Sequence, residues 1–243
     1  MYQNLNSKIQ KEILLSRGYS LKFKLTKSEL KLLYNMIKDS ILKSVKKYNP
    51  NIYEKIKEID LKDYHKYSQK LDQINICSKK NRTLELKQIK IIKNLKFFKN
   101  LKKVFNSSKL ATSLGLRDEE IDWRIARPNH KTDVGPLHAD GWFWRLNNFK
   151  SERKNFERIK CWIPIVCEKG FNGLRYIPDS HKMTIKYSSF KDNNIGIIKP
   201  KKIINEKKYK KDQFIKDLLY SLIELYFRKN VLLKNINLLK IQN

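Results

Sequence analysis

The residues with the clearest chemical potential are His138 and Asp140, separated only by Ala139. In an extended strand, residues two apart project from the same face. An imidazole and a carboxylate so placed can share one metal ion. A third ligand from a distant strand would complete the facial triad of non-haem Fe(II) oxygenases, leaving positions open for co-substrate and oxygen. The spacing alone is a weak signal, and its bland counterpart is a surface histidine beside an aspartate. The surroundings sharpen it. The pair follows Gly135-Pro136 and precedes Trp142-Phe143-Trp144. Those aromatics either wall a pocket against water or serve as plain core, so Trp142 and Trp144 are candidate substrate contacts. His130 and His181 are candidates for a third ligand. Arg124 and Arg127, just before the motif, can meet a carboxylate bidentately; the alternative is that they face solvent or pair with the acidic stretch between Asp118 and Asp122.

The chain changes vocabulary around these residues. Gly18 is the only glycine before Gly115, all four tryptophans lie between Trp123 and Trp162, and seven of the ten arginines lie between Arg117 and Arg175. Glycine marks special backbone geometry, and Trp and Arg make specific contacts, so function is expected in this middle segment. It reads as short strands: 121–127 before Pro128, 158–167, and 173–177 closed by Pro178. Strands spaced by Gly and Pro turns predict a β-sandwich or small barrel. Pro164 within the longest run predicts an edge position or a bulge.

The flanks must support that core. Thr26-Lys-Ser-Glu29 is a capping box, and Leu30, Leu33, Met36, Ile37, Ile41 and Val45 follow at helical spacing until Pro50. Further helical patterns cover 52–71 and 84–104. The lysine-rich stretch 205–243 is predicted to be helical.

The formal charge of +30 would ordinarily suggest a polyanionic partner. Lysines supply most of it, are spread along the whole chain, and accompany abundant Asn and Ile, a composition that A/T-rich codons produce by themselves. No specific nucleic-acid partner is expected, and a basic nucleic-acid or membrane-surface protein is the third-ranked reading. No apolar run is long enough to span a membrane, and no signal peptide is recognised, so a cytoplasmic location is expected. Cys77, Cys161 and Cys167 form neither a disulfide framework nor a CxxC pair. Cys161 and Cys167 are expected to be buried free thiols.

Three ordered blocks carry a family resemblance: Leu137-His138-Ala-Asp140; Lys160-Cys-Trp162-Ile-Pro-Ile-Val; and Asn172-Gly173-Leu-Arg-Tyr-Ile-Pro178-Asp-Ser-His181-Lys. The segment resembles the phytanoyl-CoA dioxygenase family of Fe(II)/2-oxoglutarate-dependent oxygenases. The third block is similar to that family's NG-x-L-x-x-x-P-G-S-H pattern, with Asp179 where glycine is usual. The resemblance implies an α+β, mainly β architecture: a double-stranded β-helix (a cupin-like jelly roll) with N-terminal helices packed on it. Residues 1–114 would be the helical support, 115–200 a partial oxygenase core, and 201–243 the helical tail. It further implies Fe(II) on His138 and Asp140, 2-oxoglutarate as co-substrate beside Trp162 with Arg127 as a further candidate contact, hydroxylation of a small organic substrate, and a structural role for His181.

The resemblance is incomplete. The family places a second metal-binding histidine, and an arginine for 2-oxoglutarate, well after the first pair. No histidine follows His181, and Arg228 is the sole arginine after Arg175. Three expectations stay open: an oxygenase whose tail is a frameshift or truncation product and which is inactive as it stands, a non-catalytic relative that binds ligands, and an unusual ligand set using His181 or His130.

Overall fold

The computed structural model describes residues 9, 13, 18–20, 23–105, 110, 119–128, 130, 133, 138–147, 156–166, 174–177, 179–193, 197–204, 213–214, 221–230 and 239–242, some of them by backbone alone. The described elements mix helices with antiparallel strands.

Helix α1 (Lys27–Tyr48) starts where the capping box predicts. The Glu29 N–H donates to Thr26 Oγ1 at 3.2 Å, and the Thr26 N–H returns a bond to Glu29 Oε2 at 2.8 Å. Leu33, Met36, Ile37, Ile41 and Val45 are buried, whereas Leu30 is exposed. The helix ends before Pro50, which opens a short 3-10 turn. The pattern over 52–71 divides into α2 (Tyr53–Glu58) and a 3-10 stretch (Leu61–Lys70). Two short helices follow, α3 (Gln73–Ile76) and α4 (Lys79–Arg82). The pattern over 84–104 divides into α5 (Leu86–Asn94) and α6 (Lys96–Phe105) because Leu95 between them is extended. Glu29 ties the first helix to the last of this group: its Oε1 accepts from the Phe97 N–H at 2.9 Å.

The strands are β1 (Ile121–Ile125), β2 (His138–Ala139), β3 (Phe156–Pro164), β4 (Leu174–Tyr176), β5 (Tyr187–Asp192), β6 (Ile197–Ile203), β7 (Gln213–Phe214), β8 (Ser221–Asn230) and β9 (Leu239–Gln242). One sheet has the order β1-β8-β3 and another β2-β9-β4-β7, while β5 and β6 form a separate pair. Successive strands β1 to β4 thus alternate between two sheets. Pro164 closes the last pair of β3, an edge strand among the described residues, so no internal ladder bond is lost.

Residues 205–243 were expected to be helical, and the described part of them is strand. β8 lies between β1 and β3, pairing Ile223 with both Trp123 and Ile163. Its sequence Ser-Leu-Ile-Glu-Leu-Tyr-Phe-Arg-Lys-Asn has Ile, Tyr and Phe, which favour pleated structure, and an apolar set at Ile223, Leu225 and Phe227 with a period of two. Lysine richness around it mimicked a helix former. Sheet edges left open by β1 and β3 supply the missing cause, since pairing satisfies backbone groups that a helix beside them would leave exposed.

The main core lies between the helical layer and the β1–β3 sheet, with Leu33, Ile37, Ile92, Phe98, Trp123 and Ile163 almost fully buried. A buried polar network locks β1 to the helices. Asp122 accepts from Thr83 Oγ1 at 2.7 Å and from the Lys79 ammonium, which also reaches Glu120 at 3.2 Å. Trp123 Nε1 donates to Ser40 Oγ at 2.9 Å. No helix among the described residues is long and apolar enough to cross a membrane.

Candidate functional site

His138 stands on β2, and Asp140 opens the following helix, α7 (Asp140–Leu146). The motif therefore crosses a strand–helix junction instead of lying wholly in a strand. Ala139 between them is still extended, with φ −108° and ψ 134°, so the two side chains stay on one side. His138 Nε2 lies 3.5 Å from Asp140 Oδ1. Asp140 also sits in the first turn of α7, where the helix end favours negative charge.

Two contacts hold α7 in place. Trp142 stacks on Tyr187 of β5 with ring centroids 4.1 Å apart. Asn147 clamps the backbone of Ile198 in β6, donating to its carbonyl at 2.7 Å and accepting from its N–H at 2.8 Å. Trp142 is 3% exposed and belongs to a small second core with Ala139, Ile177, Ile185 and Ile203. The structure places it as packing against β5, not on an open pocket wall. The Trp144 side chain lies outside the described residues.

The other carboxylate oxygen faces a lysine. Lys160 Nζ, on β3, is 3.1 Å from Asp140 Oδ2 and only 8% exposed. The same ammonium lies 4.3 Å from the ring centre of Trp162, two residues along the strand. The fold thus brings His138, Asp140, Lys160 and Trp162 together from β2, α7 and β3. Burial alone would raise the Asp140 pKa; the Lys160 charge and the His138 hydrogen bond outweigh it and hold the carboxyl well below the usual range. Lys160 belongs to the second sequence block but had no role assigned. The signal for it was its spacing: residue i−2 to Trp162 on a strand shares that residue's face.

Other candidates fall elsewhere. Arg127 is committed to Asp133, with Nε to Oδ2 at 2.6 Å and Nη2 to Oδ1 at 2.7 Å. It pairs neither with the acidic stretch before Trp123 nor with the histidine–aspartate pair. His181 lies in a 3-10 turn (Ser180–Lys182), and its side chain is outside the described residues, as are Cys167, Gly173 and Pro178. Cys161 is a free thiol pushed up to about 12 by burial. Asp179 has φ 59° and ψ 6°, the left-handed conformation. That geometry explains why glycine is usual there in the pattern, and Asp is among the few side chains that tolerate it.

The donor set fits a divalent metal only in part. His138 Nε2 and Asp140 Oδ1 converge as two hard or borderline ligands. Among the described residues, no group of three or more His, Cys, Asp or Glu side chains is arranged to hold a metal ion. Strand β9, next to β2, carries Lys240 opposite His138, where a ligand from the neighbouring strand would stand. Compared with known proteins, the chain matches no family model, no curated protein and no solved structure.

Proposed function

We propose that this chain is a Fe(II)/2-oxoglutarate-dependent dioxygenase of the phytanoyl-CoA dioxygenase type, built on a double-stranded β-helix and acting on a small organic substrate. The observation that carries the reading is the convergence of His138 Nε2 and Asp140 Oδ1 at 3.5 Å, at the end of a strand in one of two alternating sheets. The left-handed backbone at Asp179, where the resembled pattern has glycine, supports it independently.

In this reading His138 and Asp140 hold the metal. Bound Fe(II) supplies the oxidative chemistry, coupling decarboxylation of 2-oxoglutarate to hydroxylation of a C–H bond. The protein's own residues position and neutralise. Lys160 balances the Asp140 charge in the metal-free protein. Once Asp140 serves a metal, that ammonium becomes available to a carboxylate, the task for which the expected arginine is lacking. Trp162, beneath the ammonium, offers an apolar wall that keeps water from it. Succinate released from 2-oxoglutarate under air with Fe(II) tests the proposal: turnover should exceed that of His138→Ala. Equal rates in the two proteins would refute it.

A second reading rests on a different observation. The Lys160 ammonium already sits on Asp140, and Lys240 is registered opposite His138. Two lysines beside a two-ligand site disfavour a divalent cation, and the chain would then be a non-catalytic binding protein on the same scaffold. Calorimetry separates the readings. Tight binding of both Mn(II) and 2-oxoglutarate supports the first, and binding of neither metal nor 2-oxoglutarate supports the second.

A further inference from the structure

A cavity of about 280 Å³ lies between the helical layer and the end of β1. Neither His138 nor Asp140 lines it. Its wall brings together Arg82 from α4, Arg124 from β1, and the Arg127–Asp133 pair, over an apolar floor that includes Trp123. Three guanidiniums and one carboxylate therefore meet around one space. Asp133 is engaged bidentately by Arg127, so the positive excess of the wall resides in Arg82 and Arg124. The same four groups act on the thiol of Cys77, which also lines the cavity, so they are close to one another as well as to the space.

We propose that this cavity is a binding site for a small oxyanion: a carboxylate- or phosphate-bearing molecule of few heavy atoms, held by Arg82 and Arg124. Guanidinium groups present planar pairs of N–H donors that match carboxylate and phosphate oxygens, which a lysine-rich surface does not provide. The cavity is near the lower end of the range of ordinary ligand sites, roughly 300–1,000 Å³, which excludes a bulky ligand. The Arg127–Asp133 bond fixes the wall in advance, so little ordering is needed on binding. The proposal does not depend on the oxygenase reading, since it shares no residue with the histidine–aspartate pair.

The test is calorimetric titration of the full chain with inorganic phosphate and, separately, with citrate, at an ionic strength held constant with NaCl. Because the chain carries a net charge of +30, a double variant at the exposed residues Lys24→Gln and Lys31→Gln controls for general attraction. One-site saturation is expected with at least one probe, and the probe that binds identifies the head group. Arg124→Gln should weaken it at least tenfold and Arg124→Lys at least threefold, with the control unchanged. Ile74, which lines the cavity and is 87% exposed, offers a variant that spares the core: Ile74→Glu should weaken the same binding at least threefold. Absence of saturable binding with both probes, or equal weakening in the lysine control, overturns the proposal, as does unaltered affinity in Ile74→Glu.

Discussion

Lys160 Nζ lies 3.1 Å from Asp140 Oδ2, so the carboxylate that faces His138 on one side already carries a buried counter-charge on the other. A metal arriving at this pair competes with an ammonium. Removing the ammonium should therefore help the metal and harm the metal-free fold.

Lys160→Met tests this competition. The metal-free variant should lose about 1–3 kcal/mol of stability, because a largely buried carboxylate is left without its partner. Its Mn(II) affinity should rise at least tenfold, and urea unfolding should show more of the lost stability restored by Mn(II) than in the wild type. Unchanged Mn(II) affinity would show that Lys160 does not compete for Asp140.

The Arg127–Asp133 pair makes a pH-dependent contribution. Burial alone would raise the Asp133 pKa, but the Arg127 hydrogen bonds outweigh it and leave the value below 3.8. A depressed folded-state pKa gives stability that is present above the unfolded value and lost as pH falls through the folded one. Asp133→Asn should therefore be less stable than wild type at pH 6, by about 1–3 kcal/mol. The difference should shrink below about pH 4. A constant difference between pH 6 and pH 3 would contradict the assignment.

Glu29 joins the first helix of the support layer to the last. Its carboxylate receives the Thr26 and Phe97 N–H groups, which help keep its pKa low although burial opposes them. Thr26→Ala removes one cap and should cost about 1 kcal/mol. Glu29→Ala should cost more, about 2–3 kcal/mol, because it also leaves the buried Phe97 N–H without its acceptor. Chemical denaturation of the two variants checks the order.

Asp179 is left-handed, so side-chain shape matters there more than charge. Asp179→Val should destabilise by about 1–2 kcal/mol, the steric cost of that conformation for a branched residue. Asp179→Gly should be neutral within about 0.5 kcal/mol, since relief of strain and added freedom of the unfolded chain oppose each other. If Val were tolerated as well as Gly, the left-handed turn would not be a constraint on this block.

The supporting layer was legible because its signals are local. Thr26 and Glu29 announce the first helix, and the buried positions from Leu33 to Val45 follow its period. What local signals missed depends on partners far along the chain. Leu95 interrupts a pattern that reads as one continuous helix. Ser221–Asn230 becomes a strand by pairing with Ile121–Ile125 and Phe156–Pro164, which no window around Leu225 contains. In the site, the 138–140 pair is a short-range pattern and was found. Lys160 went unassigned because its meaning comes from Asp140, twenty residues earlier. Arg127 was considered for a carboxylate ligand, and its carboxylate proved to be Asp133.

The central claim is that His138 and Asp140 form a metal-binding pair. Free Mn(II), followed by its electron paramagnetic resonance signal during titration of the full chain with 2-oxoglutarate present, tests it most directly. The account predicts stoichiometric loss of the free-ion signal in the wild type, and a loss of affinity of at least tenfold in both His138→Ala and Asp140→Asn. Mn(II) binding that is absent from the wild type, or equally strong in all three proteins, would contradict it.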